Sequence, residues 1–221
     1  MAQAAAKQYK AVLFDLDGTL LNTLEDLWIS VNTVMRRFGE PEHSMDAVRH
    51  FVGNGVRNLM RRAVPGGEDN PRFEEELAAQ IAYYRGHGKE HTAPYDGIEE
   101  MLASLRAKGL SVAILSNKEE VAAKELSDHY FRGRYDLVMG NTKERPRKPD
   151  PTIIRAALAE FGTSPAEALY VGDSETDAET AENAGVDYVL VAWGFRERSV
   201  LERFSALAII DQPEELPKLV L

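Results

Sequence analysis

Two aspartates, Asp15 and Asp17, follow the apolar run Ala11 to Phe14 with one leucine between them, and Gly18 and Thr19 come next. Residues two apart on an extended chain point to the same side. Two carboxylates so placed raise each other's pKa unless a cation lies between them. A divalent metal with oxygen ligands removes that conflict, and Mg²⁺ takes one or two carboxylates together with substrate phosphate. The carboxyl end of a parallel strand is where α/β sheets hold ligands. Gly18 then permits a backbone turn that a side chain would obstruct. An acid pair that caps a following helix is the structural alternative. A calcium loop begun at Asp15 would need glycine at its sixth position and glutamate at its twelfth, where this chain has Leu20 and Asp26.

Partners for these acids recur further along. "AILSN" ends an apolar run with Ser116 and Asn117, small donors suited to phosphate oxygens. "RKPDP" carries Lys148, a point charge for a phosphoryl group. "YVGDSETD" ends another run with Asp173 and Asp177, one helical turn apart at a helix start. Taken singly, these read as a helix start, a loop lysine and an N-cap. Their succession at strand and loop ends of one sheet points to phosphate chemistry.

The elements that must position them alternate. Val12 to Phe14, Ser111 to Leu115, Leu137 to Met139, Leu169 to Val171 and Tyr188 to Val191 are short, Val/Ile/Leu-rich and read as buried strands. Helical segments lie between them: Ile98-Met101-Leu102-Leu105, Val121 to Leu126, Ile153 to Phe161, and Ala178 to Ala184. "Asp-Gln-Pro" at Asp211 to Pro213 reads as a final strand end and helix start. This pattern predicts an α/β fold, a Rossmann-like parallel sheet covered on both faces. From Leu24 to Glu90 the rhythm breaks. Leu24, Leu27, Trp28, Val31, Met35 and Phe38 form one helical stripe, and Phe73, Leu77, Ile81 and Tyr84 another. We therefore expect a core from residues 1–22 and 92–221, with a helical cap, 23–91, inserted after the first strand.

The 221 residues carry a net charge of −10, which argues against nucleic-acid binding through bulk positive charge and obliges an anionic substrate to find local help. The absence of cysteine excludes disulfides, thiolate nucleophiles and cysteine-ligated zinc. No apolar run has the length of a membrane span, and "MAQAAAKQYK" lacks a signal-peptide core, so a frayed start, a cytoplasmic location and a monomer or weak homodimer are expected. His43, His50, His87, His91 and His129 show no metal-ligand spacing, and only His50, beside the cap loop, invites a test. The basic run "TKERPRK" reads mainly as a solvated loop, and Trp193 as core packing.

"DLDGT", "LSN", "KPDP" and "GDSETD" match, in order, the signatures of the haloacid dehalogenase superfamily, and the resemblance spans the whole chain. "FVGNGVRNLM" and "VAWGF" resemble its phosphoglycolate phosphatase branch. The resemblance implies Asp15 as nucleophile, forming an aspartyl-phosphate, and Asp17 as general acid and then base, with Thr19 holding it. It implies Ser116, with Asn117 beside it, on the phosphoryl group and Lys148 neutralising charge. Asp15, the Asp17 carbonyl and Asp173 would hold Mg²⁺, with Asp177 ordering that site. Asp17 separates the chain from dehalogenases proper, which lack an acid there. A cap without lysine before Lys89 separates it from Schiff-base phosphonatases. The implied substrate is a small phosphorylated metabolite, foremost 2-phosphoglycolate. A β-phosphoglucomutase-like mutase, an inorganic pyrophosphatase and a broad sugar phosphate phosphatase are the alternatives. In the cap, Gly53, Asn54 and Gly55 form a turn able to lower donors onto a substrate. Arg57 or Arg49 could grip a carboxylate in a fork, while Arg61 and Arg62 read as surface.

Overall fold

The structure, a computed structural model, describes residues 8–220. Most of the expected frayed start, residues 1–7, lies outside the described residues. Strand β1 (Ala11–Phe14) leads through β2 (Leu21–Asn22) into helices α1 (Leu24–Phe38), α2 (Met45–Phe51), α3 (Gly55–Ala63) and α4 (Phe73–His87). The chain returns through β3 (Ala93–Pro94) to α5 (Ile98–Ala107), β4 (Ser111–Glu119), α6 (Glu120–Phe131), β5 (Leu137–Asn141) and α7 (Thr152–Phe161). It ends with β6 (Ala168–Gly172), α8 (Glu175–Ala184), β7 (Asp187–Val191), α9 (Arg198–Leu201), β8 (Ala208–Ile210) and α10 (Leu216–Leu219).

Six strands form one sheet in the order β5-β4-β1-β6-β7-β8, every pair parallel. Alternate side chains of each strand point to opposite faces. Val12, Phe14, Val112, Ile114, Leu169 and Val171 join α5, α6 and α10 in one core. Ala11, Leu13, Ala113, Leu115, Ala168 and Tyr170 join α7 and α8 in the other. Every predicted strand and core helix is present. The final strand read from "Asp-Gln-Pro" is β8, ending one residue before Asp211.

Helices α1 to α4 share a separate apolar cluster that includes Val31, Met35, Leu59, Met60, Phe73 and Leu77. The predicted stripe of α4 divides its work: Phe73 and Leu77 are buried in this cluster, whereas Ile81 and Tyr84 stay partly open and line a cavity. The chain leaves and re-enters through an antiparallel ribbon that pairs Leu21 with Pro94 and Asn22 with Ala93. Asp26 clasps this crossing. Its buried carboxylate accepts from the Thr92 amide at 2.8 Å, the Thr92 hydroxyl at 2.7 Å and the His91 amide at 3.0 Å. Asp26→Ala leaves those donors unsatisfied and is expected to destabilise the fold by about 3 kcal/mol. Urea unfolding reads this as a lower midpoint at unchanged slope, and an unmoved midpoint would refute the clasp.

Candidate active site

Strand register assembles the site. Phe14 lies opposite Ile114 on one side and Val171 on the other. Asp15 therefore emerges between the ends of β4 and β6, with its amide donating to the Val171 carbonyl at 2.9 Å. Ser116 and Asn117 stand in the irregular stretch of β4 that follows Leu115. Asp173 and Asp177 come from the turn after β6 and the first turn of α8. Gly18 has a φ of 89°, and a Cβ there would strike the Asp173 carboxylate, so both the turn and the close approach require glycine. Gly194 abuts Asp173 in the same way.

The charges are unbalanced. Buried Lys148 places Nζ 2.7 Å from Asp15 Oδ1, 2.8 Å from Asp177 Oδ1 and 3.0 Å from the Tyr170 hydroxyl. Asp177 also accepts from the Ser174 hydroxyl at 2.6 Å and the Tyr170 hydroxyl at 2.9 Å. Burial opposes its charge, but Lys148 and these hydrogen bonds outweigh that and hold its pKa below the usual value. Asp173 has one amide donor, Phe195 N at 2.7 Å. Burial, then Asp177 and Asp15, push its pKa well up. Burial likewise pushes Asp15 up to about 7, against the pull of Lys148. Oxygens of Asp15, Asp173 and Asp177 lie within 4.8 Å of one another. Once all three carboxyls ionise, the single ammonium leaves two negative charges uncompensated, and an all-oxygen donor set suits a hard divalent cation.

This has a measurable consequence. A carboxyl whose folded pKa lies above its unfolded 3.8 contributes stability below that value and loses it as pH rises through about 7. The metal-free protein is thus expected to melt lower at pH 8 than at pH 5. Excess Mg²⁺ should raise the melting temperature at pH 8 and far less at pH 5. Equal Mg²⁺ effects at both pH values would contradict the uncompensated cluster.

Asp17 sits on the cap side of Asp15. Its Oδ1 accepts from the Thr23 hydroxyl at 2.8 Å and lies 3.2 Å from Lys118 Nζ. Here the structure corrects the expectation for Thr19. The buried Thr19 hydroxyl has no partner among the described residues, and the first residue of the exit into the cap, Thr23, holds Asp17 instead. The Thr19 carbonyl accepts from Trp193 Nε1 at 3.0 Å, so Trp193 packs on the core and tethers this turn. Asn117 is also consumed: Nδ2 donates to the carbonyls of Gly53 and Lys148, and Oδ1 accepts from the Lys148 amide. Its side chain clips the lysine loop in place and has no N–H left for phosphate. Buried Ser116 accepts from the Lys118 amide at 3.1 Å, leaving its hydroxyl hydrogen for a ligand.

A cavity of about 130 Å³ opens between these groups and the cap, lined by Asp15, Asp17, Ser116, Lys118, Tyr84 and Gln80 among others. Gly53 and Gly55 reach it. Asn54 does not line it; its side chain accepts from the Thr176 hydroxyl at 3.2 Å and pins the cap loop to α8. Arg57 is turned away altogether. Val56 and Leu59 take the cavity face of α3, and Arg57, one residue round the helix from Val56, meets Glu68 at 3.1 Å and Glu74 at 2.6 Å. Arg49 lies near Asp46 and Glu197, and His50 is an exposed partner of Asp46. Neither lines the cavity. Arg61 donates to Asn58, and Arg62 to the His50 and Phe51 carbonyls at the end of α2. In the basic loop, Arg145 is tied to Glu120 at 2.7 Å and to the Gly140 carbonyl at 2.5 Å.

Four participants escaped sequence reasoning. Lys118 and Tyr84 meet across the core–cap boundary, with the ammonium 3.3 Å from the hydroxyl and 4.6 Å from the ring centroid. Arg196 ties α8 to the end of α2, through Glu175 at 2.8 Å and the Val52 carbonyl at 2.7 Å. Phe195 inserts into the cap cluster while its amide holds Asp173. A cation two residues after Ser116 was the available signal for Lys118, and "VAWGF" contains Phe195; nothing local marked Tyr84 or Arg196 for the site.

The family model described as haloacid dehalogenase-like hydrolase matches residues 12–191. A Thiobacillus denitrificans phosphoglycolate phosphatase is 36% identical over 87% of this chain and 88% of its own length. One from Pseudomonas putida is 34% identical over 91% of this chain and 76% of its own. The crystal structure of a predicted phosphoglycolate phosphatase from Haemophilus somnus superposes with a TM-score of 0.92 at 26% identity, covering 98% of this chain and 100% of that one.

Proposed function

The chain belongs to the haloacid dehalogenase-like hydrolase family, and we propose that it is a Mg²⁺-dependent phosphatase acting on 2-phosphoglycolate through an aspartyl-phosphate on Asp15. The observation that carries this reading is the buried trio Asp15, Asp173 and Asp177, which Lys148 alone cannot neutralise. The names of the relatives above supply the substrate. Asp15, Asp173 and the Asp17 carbonyl would hold the cation, with Asp177 ordering Lys148 and the turn at Ser174. When bound, the ion offsets charge on the carboxylates and the phosphoryl oxygens.

Asp15 attacks phosphorus, and the bond to the leaving oxygen breaks while Asp17 gives that oxygen its proton. Water then attacks phosphorus with Asp17 taking its proton, and the Asp15–phosphorus bond breaks. Ser116 donates to the phosphoryl group, and Lys148 steadies Asp15 through both steps. Such transfer is mostly positioning and charge stabilisation. Among the described residues no helix is long and apolar enough to cross a membrane.

The test is phosphate release with Mg²⁺ from 2-phosphoglycolate, hexose phosphates, pyrophosphate and an aryl phosphate, alongside a sugar phosphate isomerisation assay. The reading expects the highest kcat/KM on 2-phosphoglycolate, loss of turnover with a chelator and no isomerisation. Preferred isomerisation would favour the mutase, and preferred pyrophosphate cleavage the pyrophosphatase.

A further inference from the structure

We propose that Lys118 is the substrate-binding cation for an anionic group on the leaving alcohol, so that the substrates are phosphate monoesters of short hydroxy acids. This deepens the reading of the site just given and rests on it.

Lys118 Nζ lies 3.2 Å from Asp17 Oδ1. The leaving oxygen must come within hydrogen-bond reach of Asp17 to take its proton. The first atoms beyond that oxygen therefore fall beside Lys118. Lys148 cannot serve them, because its three donors go to Asp15, Asp177 and Tyr170. Lys118 keeps a donor in hand: among the described residues only Asp17 and Tyr84 approach its ammonium.

Arg196 also lines the cavity, but its charge is already paired with Glu175 at 2.8 Å, and Nη1 and Nη2 each donate to a carbonyl at the end of α2, Arg49 and Val52. Arg85 and Lys89 stand at its exposed rim, the side chain of Arg85 being 66% exposed. Lys118 is 10% exposed. Its surroundings include Leu27, Val56, Leu59 and Ile81, which strengthen an ion pair by excluding water. Tyr84 adds selectivity from the cap. Its hydroxyl oxygen accepts from Lys118, and its own hydrogen remains free to donate to the same anionic group.

The test compares 2-phosphoglycolate with ethyl phosphate, which carries a methyl group in place of the carboxylate, for wild type, Lys118→Met and Lys118→Arg. A charge-assisted hydrogen bond predicts that the ratio of the two kcat/KM values falls on the order of 10- to 100-fold in Lys118→Met. Most of that fall should appear in KM for phosphoglycolate, and Lys118→Arg should retain most of the ratio. Any effect through Asp17 strikes both substrates alike and leaves the ratio unmoved. An unmoved ratio, or a wild type indifferent to the carboxylate yet active on both esters, overturns this inference while the phosphatase reading stands. A wild type that releases phosphate from neither ester overturns both.

Should Lys118→Met turn over too slowly, calorimetry with 3-phosphonopropionate against propylphosphonate, in Mg²⁺, reads the same preference without chemistry. Loss of the preference in the variant supports the assignment, and its retention overturns it. Circular dichroism of each variant checks that the fold persists.

Discussion

Asp15→Asn is expected to lower phosphate release by on the order of 10⁴-fold or more, the scale on which removing a nucleophile costs an enzyme its turnover. The substitution is nearly isosteric, and the amide of residue 15 still donates to Val171. Lys148 keeps Asp177 and Tyr170. The fold should therefore persist and the loss be chemical. An amide oxygen is a poor nucleophile and a weaker partner for a cation, so both the covalent step and metal binding suffer. Phosphate release by the purified variant, with a melting curve to verify folding, checks this. Turnover within tenfold of wild type would mean that Asp15 is not the attacking group.

Lys148→Met should weaken both stability and turnover. It leaves the buried carboxylates of Asp15 and Asp177 without their shared ammonium. Removing one partner of a buried ion pair typically costs about 3–5 kcal/mol. Without Lys148 the folded pKa of Asp15 rises further, so the folded variant holds its proton more tightly than the unfolded chain. Its stability is then kept at low pH and lost as pH rises. Urea unfolding at pH 5 and pH 8 should give the larger deficit at pH 8. Turnover should fall by on the order of 10²-fold or more, since a charge stabiliser of the transferring group has gone. A variant as stable as wild type at pH 8 would show that the ammonium does not hold the acids together.

Much of this site is legible along the chain because it is built at strand ends. An apolar run fixes where a strand stops, and the residues that follow it are delivered to one edge of a parallel sheet. Asp15, Ser116 and Asp173 were readable for that reason, as was the alternation of strands and helices around them. Lys148, outside any strand, was readable from its place in the ordered set.

The tertiary structure decided what depends on rotation about a helix axis or on contact between distant segments. Arg57 and Val56 are neighbours in sequence, yet one pairs with cap acids and the other lines the cavity. Thr23 rather than Thr19 reaches Asp17 because the turn at Gly18 folds the exit segment back. Lys118 meets Tyr84 only because the cap is seated on the core, where Asp26, Asn117 and Arg196 hold it. The sequence by itself determined which residue types meet at the sheet edge, since strand length and register are local and periodic properties. Which side chains face the leaving group was left to the packing of the helical cluster of α1 to α4 against the sheet, and no local pattern encodes that.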